Sequence, residues 1–473
     1  MRSHLNLLVI LSDQLRRDAL GVYGDPNIAT PNIDRLAAAG VRFTRAYSTY
    51  PVCVPFRFTF MTGEYAHSRY VPAMEWRMSP AEHTLADEFN AAGYRTICIG
   101  KWHLYGGLGH LPGATARRVN RTPVPRLHRG RWQRWRGFEL ANAPFDTCYF
   151  EDDDPTPKPL GVYQMDGLFQ LAMRELAACA DLGKPFCCVL SVEPPHFPLE
   201  APRPLEERWH NRVLQLPPNY LFRDARPSPA RKLAEADREE SLRRRRLYYA
   251  MVENLDENVG RLPEFLERSG LARNTVVMFL SDHGEMGGAH SERNTLKEHP
   301  YEESTGIPLI VRMPGLNQRA GTVVAEPVTT EDLWPTCLAL ADLPVPAGKP
   351  GRDLTPLIRG ERARLDREGV LLEFVHDLRT DTAMCPYHAV HWRGFVGRRF
   401  KYTVLGGVEE GGHPWQLFDL ENDPWEMRNL LEEPGWQDTA AAFHRLLRER
   451  LIATVDYYAL APAFGCEGLN VGG

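Results

Sequence analysis

The sequence predicts an α/β protein with a large, mainly parallel β-sheet flanked by helices, followed by a smaller α+β domain that carries an antiparallel sheet. Up to about residue 364, short apolar runs of strand length alternate with helical patterns, as in the crossover connections of a parallel sheet. From about residue 365, short strand-like pieces follow one another with no helix between them, which is typical of an antiparallel sheet. We therefore expect two domains, 1–364 and 365–473.

The first predicted elements are a strand, two helices and a second strand. Leu5–Leu11 is an almost continuous apolar run, as expected for a strand buried on both faces. Asn32–Ala39 and Thr84–Ala92 have helical patterns, and each is followed by glycine, a residue that commonly ends helices. Arg95–Ile99 follows as a strand.

The middle of the chain repeats this alternation. Met165–Ala180 is predicted as a helix and Phe186–Val192 as the strand after it. The long helix Leu242–Ser269 precedes the strand Thr275–Leu280, and Leu309–Arg312 is a further strand. Strands joined through helices pair in parallel, so these elements predict the large sheet.

The C-terminal part of the chain has a different pattern. Strands are predicted at Gly369–Phe374, His388–Val396 and Lys401–Leu405, and a helix at Thr439–Thr454. These elements predict the smaller domain and its antiparallel sheet.

Composition argues against several classes of protein. The formal net charge of −5 is unlike that of a general nucleic-acid binder, and no run of about 20 apolar residues predicts a membrane span. Leu5–Leu11 continues into Ser12 without a small-residue cleavage site, so it is interpreted as a strand and not a signal peptide. We expect a cytoplasmic protein. The nine cysteines include no C-x-x-C pair of the zinc type, which disfavours a zinc site. A disulfide framework is not expected in a chain of this length without a secretion signal.

Four predicted strands are followed by residues that can bind metal or move protons. These residues are Asp13 and Gln14, Lys101 and His103, His196, and Asp282 and His283. The carboxyl ends of parallel strands meet at one edge of a sheet, so we expect the four groups to converge. Carboxylate and amide oxygens suit a hard divalent cation such as Ca²⁺ or Mg²⁺, whereas a histidine nitrogen also permits Mn²⁺.

Residues 53–63 carry the most specific motif, Cys-Val-Pro-Phe-Arg-Phe-Thr-Phe-Met-Thr-Gly. This segment resembles the C-x-P-x-R signature, followed by Thr-Gly, of the formylglycine-dependent sulfatases in the alkaline phosphatase superfamily. Phe56 stands where that family usually has a small residue. The resemblance extends from residue 5 to about residue 430, with further blocks in the family's order at Asp13, 100–103, 194–196, 281–285, Lys297 and 417–424.

This resemblance implies an alkaline phosphatase-like fold, a sulfatase activity and a particular metal site. A formylglycine-generating enzyme would oxidise Cys53 to formylglycine. One divalent cation would be bound by Asp13, Gln14, modified Cys53, Asp282 and His283, with Ca²⁺ expected and Mn²⁺ or Mg²⁺ as alternatives. The chemistry agrees, because a thiolate is a soft ligand that suits such a cation poorly, whereas an oxygen-bearing derivative suits it well.

The resemblance also implies catalytic roles. Arg57 and Lys101 would stabilise formylglycine, and Lys297 would bind sulfate oxygens. His196, with Lys297, would assist departure of the alcohol as a general acid. His103 would accept a proton when sulfate is released. An isolated histidine is more often structural, but both of these histidines follow predicted strands within motif blocks.

Two alternatives to a sulfatase have to be considered. Relatives in the superfamily hydrolyse phosphonate monoesters or phosphodiesters at a site of the same kind, and an Asp-His pair like Asp282-His283 occurs among them. A non-catalytic binding module is disfavoured, because every expected position holds a competent residue.

The predicted substrate is a sulfate ester of a small molecule or a carbohydrate, and no nucleic acid or membrane is expected as a partner. The oligomeric state stays open.

One further segment, 116–137, contains eight arginines. It predicts either an exposed loop or a lid that attracts anionic substrates. The exposed loop is the preferred interpretation.

Overall fold

The computed structural model describes residues 5–110, 113–221, 235–292, 294–376, 390–407, 410–466 and 468. Within these residues the strands are β1 (Asn6–Ser12), β2 (Val41–Tyr47), β3 (Arg95–Lys101), β4 (Arg134–Phe138), β5 (Cys148–Glu151), β6 (Lys158–Pro159), β7 (Phe186–Val192), β8 (Thr275–Ser281), β9 (Gly306–Arg312), β10 (Thr322–Val324), β11 (Val328–Thr329), β12 (Gly369–Phe374), β13 (His391–Gly397), β14 (Phe400–Gly406) and β15 (His413–Asp419). The helices are α1 (Pro31–Ala38), α2 (Cys53–Thr62), α3 (Leu85–Ala91), α4 (Ala116–Asn120), α5 (Gln164–Leu182), α6 (Arg203–Trp209), α7 (Arg238–Arg268), α8 (Glu302–Thr305), α9 (Leu333–Leu340), α10 (Thr355–Arg359) and α11 (Gln437–Ala453).

The large sheet has the strand order β10-β2-β9-β8-β1-β7-β3-β4-β5-β6, with β11 also paired to β2. Its centre is parallel, because β8, β1, β7, β3 and β4 all run in one direction. Strand β9 is antiparallel to both of its neighbours. This large, mainly parallel sheet confirms the predicted fold class.

Strand β1 shows why its sequence is an almost continuous apolar run. Leu7, Val9 and Leu11 pack in the hydrophobic core that contains α2, α3 and α9. Leu8 and Ile10 pack in the core that contains α1, α5 and α7. A strand covered by helices on both faces needs apolar residues at successive positions.

The arginine-rich segment differs from its preferred interpretation. Strand β4 lies in this segment and pairs in parallel with β3. Arg136 on β4 is almost fully buried and donates from Nε to Glu175 Oε1 at 2.8 Å. The interpretation as an exposed loop is therefore wrong for this part, since buried ion pairs let an arginine-rich stretch form a sheet strand.

The small sheet has the order β12-β13-β14-β15 and is antiparallel throughout. Helix α11 packs on it, and Leu447 and Leu451 lie in the same core as Leu417. The predicted antiparallel sheet is confirmed, although residue 388, where one strand was predicted to begin, lies outside the described residues. The domain boundary after residue 364 stays a prediction.

No helix in the described ranges is both long and apolar enough to cross a membrane.

A buried ionic network connects the small sheet with the segment that follows α2. His67 Nδ1 lies 2.5 Å from Glu373 Oε2 on β12 and 3.6 Å from Asp456 Oδ2. Arg393 on β13 binds Asp456 through Nε at 2.6 Å. Burial disfavours charge on His67, but Glu373 and Asp456 outweigh it and raise the pKa of His67 above its ordinary value.

This network predicts a pH-dependent contribution to stability. A histidine whose pKa is raised in the folded state stabilises the fold fully below its unfolded pKa of about 6.5, and the contribution is lost as pH rises through the folded pKa. The melting temperature of wild type minus that of His67→Gln should therefore shrink between about pH 6 and about pH 9. Thermal unfolding across this range measures the difference. A constant difference would contradict a charged His67.

Candidate active site

The four residue groups predicted to follow strands lie side by side at one edge of the large sheet. Asp282 follows β8, Asp13 follows β1, and His196 lies four residues beyond β7, while Lys101 ends β3. These strands are consecutive neighbours in the sheet. Backbone hydrogen bonds continue past the strand ends, from Asp13 N to the Val192 carbonyl at 3.0 Å and from Asp282 N to the Ser12 carbonyl at 3.3 Å.

Cys53 is the first residue of α2 and is fully buried. Its Sγ lies 3.3 Å from Asp13 Oδ1, 3.1 Å from His283 Nε2 and 3.2 Å from Lys297 Nζ. Burial, followed by Asp13, raises the pKa of the Cys53 thiol to about 12. This environment does not stabilise a thiolate, which is the reactive form of cysteine.

Phe56 has a packing role in this structure. Its side chain is fully buried, and its ring stacks on that of Phe60 with centroids 6.2 Å apart. All ten residues of α2 are buried, so a large apolar side chain fills space between this helix and the core.

Two cationic side chains, Arg57 and Lys101, pair with the carboxylates near Cys53, those of Asp13 and Asp282. Arg57 Nη2 lies 3.1 Å from Asp13 Oδ2 and 3.2 Å from Asp282 Oδ2, and Lys101 Nζ lies 2.8 Å from Asp13 Oδ2. Burial disfavours charge on Asp13, but Lys101, His196 and Arg57 outweigh it and hold its pKa well below the usual value. Burial, followed by Asp13, raises the pKa of Asp282 to about 7.

Four ligand atoms, one each from Asp13, Cys53, Asp282 and His283, lie within 4.8 Å of one another, and all four residues are buried. His283 Nε2 lies 3.6 Å from Asp13 Oδ1 and 3.6 Å from Asp282 Oδ1. Neighbouring ligands about 2.3 Å from a cation are about 3.3 Å apart. These spacings, together with two buried carboxylates of like charge, fit a divalent cation.

The histidine in this group is oriented as a metal ligand requires. His283 Nδ1 lies 2.8 Å from the Gly284 carbonyl, an acceptor that requires the proton on Nδ1 and leaves the Nε2 lone pair toward the cluster. Burial, followed by Lys297, holds the pKa of His283 well below its ordinary value. Gln14 Oε1 lies 3.2 Å from Lys297 Nζ, which in turn lies 3.2 Å from Cys53 Sγ in this cluster.

The two predicted proton-transfer histidines are also buried at this edge. His196 Nδ1 donates to the Phe197 carbonyl at 2.7 Å. His103 has a positive φ of 55°, and neither of its ring nitrogens has a hydrogen-bond partner among the described residues. Burial, followed by Lys101 for His103 and Lys297 for His196, lowers both pKa values well below the ordinary range.

The structure adds acidic residues to which sequence reasoning assigned no role. Glu139 follows β4 and accepts from Gly107 N at 2.8 Å and Tyr105 N at 3.0 Å, which fixes the loop after His103. It is positioned by the same strand-end rule as the other groups, but β4 was not recognised as a strand. Glu285 accepts a hydrogen bond from Gln14 Nε2 at 2.8 Å.

Comparison with known proteins gives consistent matches over almost the whole chain. The family model described as Sulfatase matches residues 5–343, and the model described as N-sulphoglucosamine sulphohydrolase, C-terminal, matches residues 295–453. The Ulvan-active sulfatase of Formosa agariphila is 32% identical over 454 residues, which cover 96% of this chain and 82% of that protein.

Two solved structures have a similar fold. The structure of yidJ from Bacteroides fragilis matches with a TM-score of 0.79 and 27% identity, covering 97% of this chain and 99% of that one. A phosphonate monoester hydrolase of Agrobacterium radiobacter matches with a TM-score of 0.73 and 22% identity, covering 98% and 99%. At that identity, the second match shows the fold alone.

Proposed function

This chain is an enzyme of the sulfatase family, and on that premise we propose that it hydrolyses sulfate monoesters with a formylglycine made from Cys53 and one divalent cation. The observation that carries this proposal is the group of buried donors around Cys53 Sγ, with the Lys297 ammonium 3.2 Å from the same sulfur. A fully buried thiol with a raised pKa is a poor nucleophile, which supports a modified residue at this position.

Asp13, Gln14, Asp282, His283 and modified Cys53 would hold the cation. Formylglycine would supply an oxygen nucleophile. The bound cation would act as a Lewis acid that polarises this oxygen and the sulfate group. Arg57 and Lys101 neutralise the carboxylates beneath residue 53, through contacts of 3.1 Å and 2.8 Å to Asp13.

The remaining side chains bind the sulfate group and move protons. Lys297 would bind sulfate oxygens, where a fixed ammonium offsets charge that develops during transfer. His103 has a lowered pKa, so near neutral pH it can accept a proton during release of sulfate. A sulfate anion beside Lys297 would offset part of the charge that lowers the pKa of His196, and so favour the protonated form that a general acid needs.

For the substrate, we propose a sulfated carbohydrate. The support is the relative that is active on ulvan, which this chain matches over 96% of its own length. A formylglycine-generating enzyme would be the partner in maturation.

Mass spectrometry and activity assays test the proposal together. After co-expression with a formylglycine-generating enzyme, the peptide that contains residue 53 should be about 18 Da lighter than the unmodified peptide. The protein should then release sulfate from sulfated oligosaccharides. An unmodified Cys53 in a protein that still hydrolyses these esters would contradict the proposed nucleophile.

Removal of the divalent cation should abolish hydrolysis, because both the nucleophile and the sulfate depend on it. Dialysis against a chelator is expected to lower kcat/KM by at least about 10³-fold, and Ca²⁺ or Mn²⁺ should restore it. Asp282→Asn should require much more cation for the same recovery, because it loses a charged ligand. Activity that survives complete removal of divalent cations would contradict a metal enzyme.

The second candidate is hydrolysis of phosphonate monoesters or phosphodiesters at the same site. This candidate is supported by the Asp282-His283 pair in the donor group, because an Asp-His pair of this kind occurs among relatives with that activity. The fold is also shared with a phosphonate monoester hydrolase. Matched aryl sulfate and aryl phosphonate esters distinguish the two. We expect the larger kcat/KM for the sulfate, and a clear preference for the phosphonate would make this second function the correct one.

A further inference from the structure

Gln14 is the one amide among the five proposed metal ligands. Because the two ends of an amide have almost the same shape, its neighbours decide which end faces the metal site. Gln14 Nε2 lies 2.8 Å from Glu285 Oε2 and 3.5 Å from the Thr295 carbonyl, and Gln14 Oε1 lies 3.2 Å from Lys297 Nζ. The Thr295 contact is at the limit of hydrogen-bond distance, so Glu285 is the stronger acceptor. A carboxylate accepts hydrogen bonds, whereas an ammonium group only donates them, so Glu285 and Lys297 together select one orientation.

The backbone of Gln14 is held independently of this contact. Its φ is 64°, a left-handed conformation that costs free energy for residues other than glycine. Tyr248 Oη donates to the Gln14 carbonyl at 2.7 Å, and Gln14 N donates to Asp282 Oδ1 at 3.0 Å. The backbone of Gln14 is therefore fixed without Glu285, and Glu285 restricts only the rotation of the side-chain amide.

We propose that Glu285 is a positioning residue, which keeps the amide oxygen of Gln14 turned toward the divalent cation. The inference rests on the proposed function, because it needs the cation. Glu285 is 2% exposed and accepts a hydrogen bond from Gln14 Nε2, but it is not part of the group of candidate ligands formed by Asp13, Cys53, Asp282 and His283, so it acts on the cation through the amide. Such outer partners typically change metal affinity by about 10- to 100-fold.

Loss of Glu285 would allow the amide to rotate so that its NH₂ group faces the cation. We therefore expect Glu285→Leu to weaken Mn²⁺ binding by about 10- to 100-fold. Glu331→Leu is the matched control, because Glu331 is also a buried glutamate but accepts a hydrogen bond from Tyr65 Oη at 2.9 Å and belongs to none of the possible metal-binding groups among the described residues. Competition of the metal-free protein with a fluorescent chelator for Mn²⁺ measures affinity without turnover.

A double-mutant cycle tests whether Glu285 acts through Gln14. In a Gln14→Ala background, Glu285→Leu should change Mn²⁺ affinity by less than about 2-fold, because no amide remains to be oriented. An equal loss in both backgrounds would overturn the inference, and so would a wild-type affinity in the single variant. A wild-type protein that binds no Mn²⁺ would instead contradict the metal site of the proposed function itself.

An exchange of the two side chains gives a second test that preserves their shapes. Gln14→Glu alone places two carboxylates side by side and should weaken folding or cation binding. The double variant Gln14→Glu/Glu285→Gln restores one carboxylate and one amide with the hydrogen bond reversed. It should bind Mn²⁺ at least about 10-fold more tightly than Gln14→Glu alone. Equal affinity of the two variants would overturn the inference.

Discussion

Cys53→Ala is expected to lower kcat/KM for a sulfate ester by at least about 10⁴-fold, the scale of losses when a covalent nucleophile is removed. The sulfur atom lies among Asp13, His283 and Lys297 at 3.1 to 3.3 Å. The alanine variant removes the atom that these three groups surround and any oxygen that oxidation would place there. Steady-state kinetics of the co-expressed protein measure the loss.

The matched control for this variant is Cys337→Ala. Cys337 lies on α9, is fully buried and belongs to the hydrophobic core, so its replacement should lower the melting temperature while kcat stays close to wild type. Activity of Cys53→Ala within about 10-fold of wild type would remove Cys53 from the mechanism.

Lys297→Met should lower kcat/KM by about 10³-fold, the effect of losing a donor that stabilises developing negative charge. Among the described residues, the polar contacts of the Lys297 ammonium are Gln14 Oε1 and Cys53 Sγ, both at 3.2 Å, and neither partner is a carboxylate. A buried cation without such a partner costs stability. We therefore expect the methionine variant to be at least as stable as wild type.

Lys401→Met is the matched control, for which we expect lost stability and retained activity. Lys401 is also fully buried, but its Nζ lies 2.6 Å from Glu426 Oε1 and 3.1 Å from Glu302 Oε1. Its removal leaves buried carboxylates without their cation, which typically costs about 3–5 kcal/mol. We expect a lower melting temperature and little change in kcat for the folded fraction. Equal activity losses in both lysine variants would indicate that Lys297 is structural.

The sheet could be predicted wherever burial on both faces demanded a continuous apolar run. The strand Phe186–Val192 was predicted with the bounds that β7 has. Strand β4 was missed because its sequence, Arg-Trp-Arg-Gly-Phe, has no such run. Arg136 can be buried there because Glu175 on α5, together with Glu151 and Asp152, supplies carboxylates that pair with its guanidinium group. Pairing between distant residues is invisible to patterns of local hydrophobicity.

In the active site, too, local sequence predicted some features, whereas contacts between distant residues could not be predicted. Asp13 and Asp282 could be predicted to meet because both come directly after strands of one parallel sheet. The hydrogen bond of Gln14 to Glu285 joins residues 271 positions apart in the chain, and nothing in the local sequence of either residue reports it. The sequence therefore predicted which groups converge, whereas their mutual orientation required coordinates.

The complete burial of α2 has a consequence for the order of events in biosynthesis. Cys53 and the nine residues after it have no appreciable solvent exposure in the folded chain, so a modifying enzyme cannot bind this segment once α2 has packed. The proposed oxidation must therefore occur while the segment is still unfolded. Under the proposed function, folding and maturation would then compete, and a chain that folds before modification would keep its thiol and stay inactive until it unfolds again.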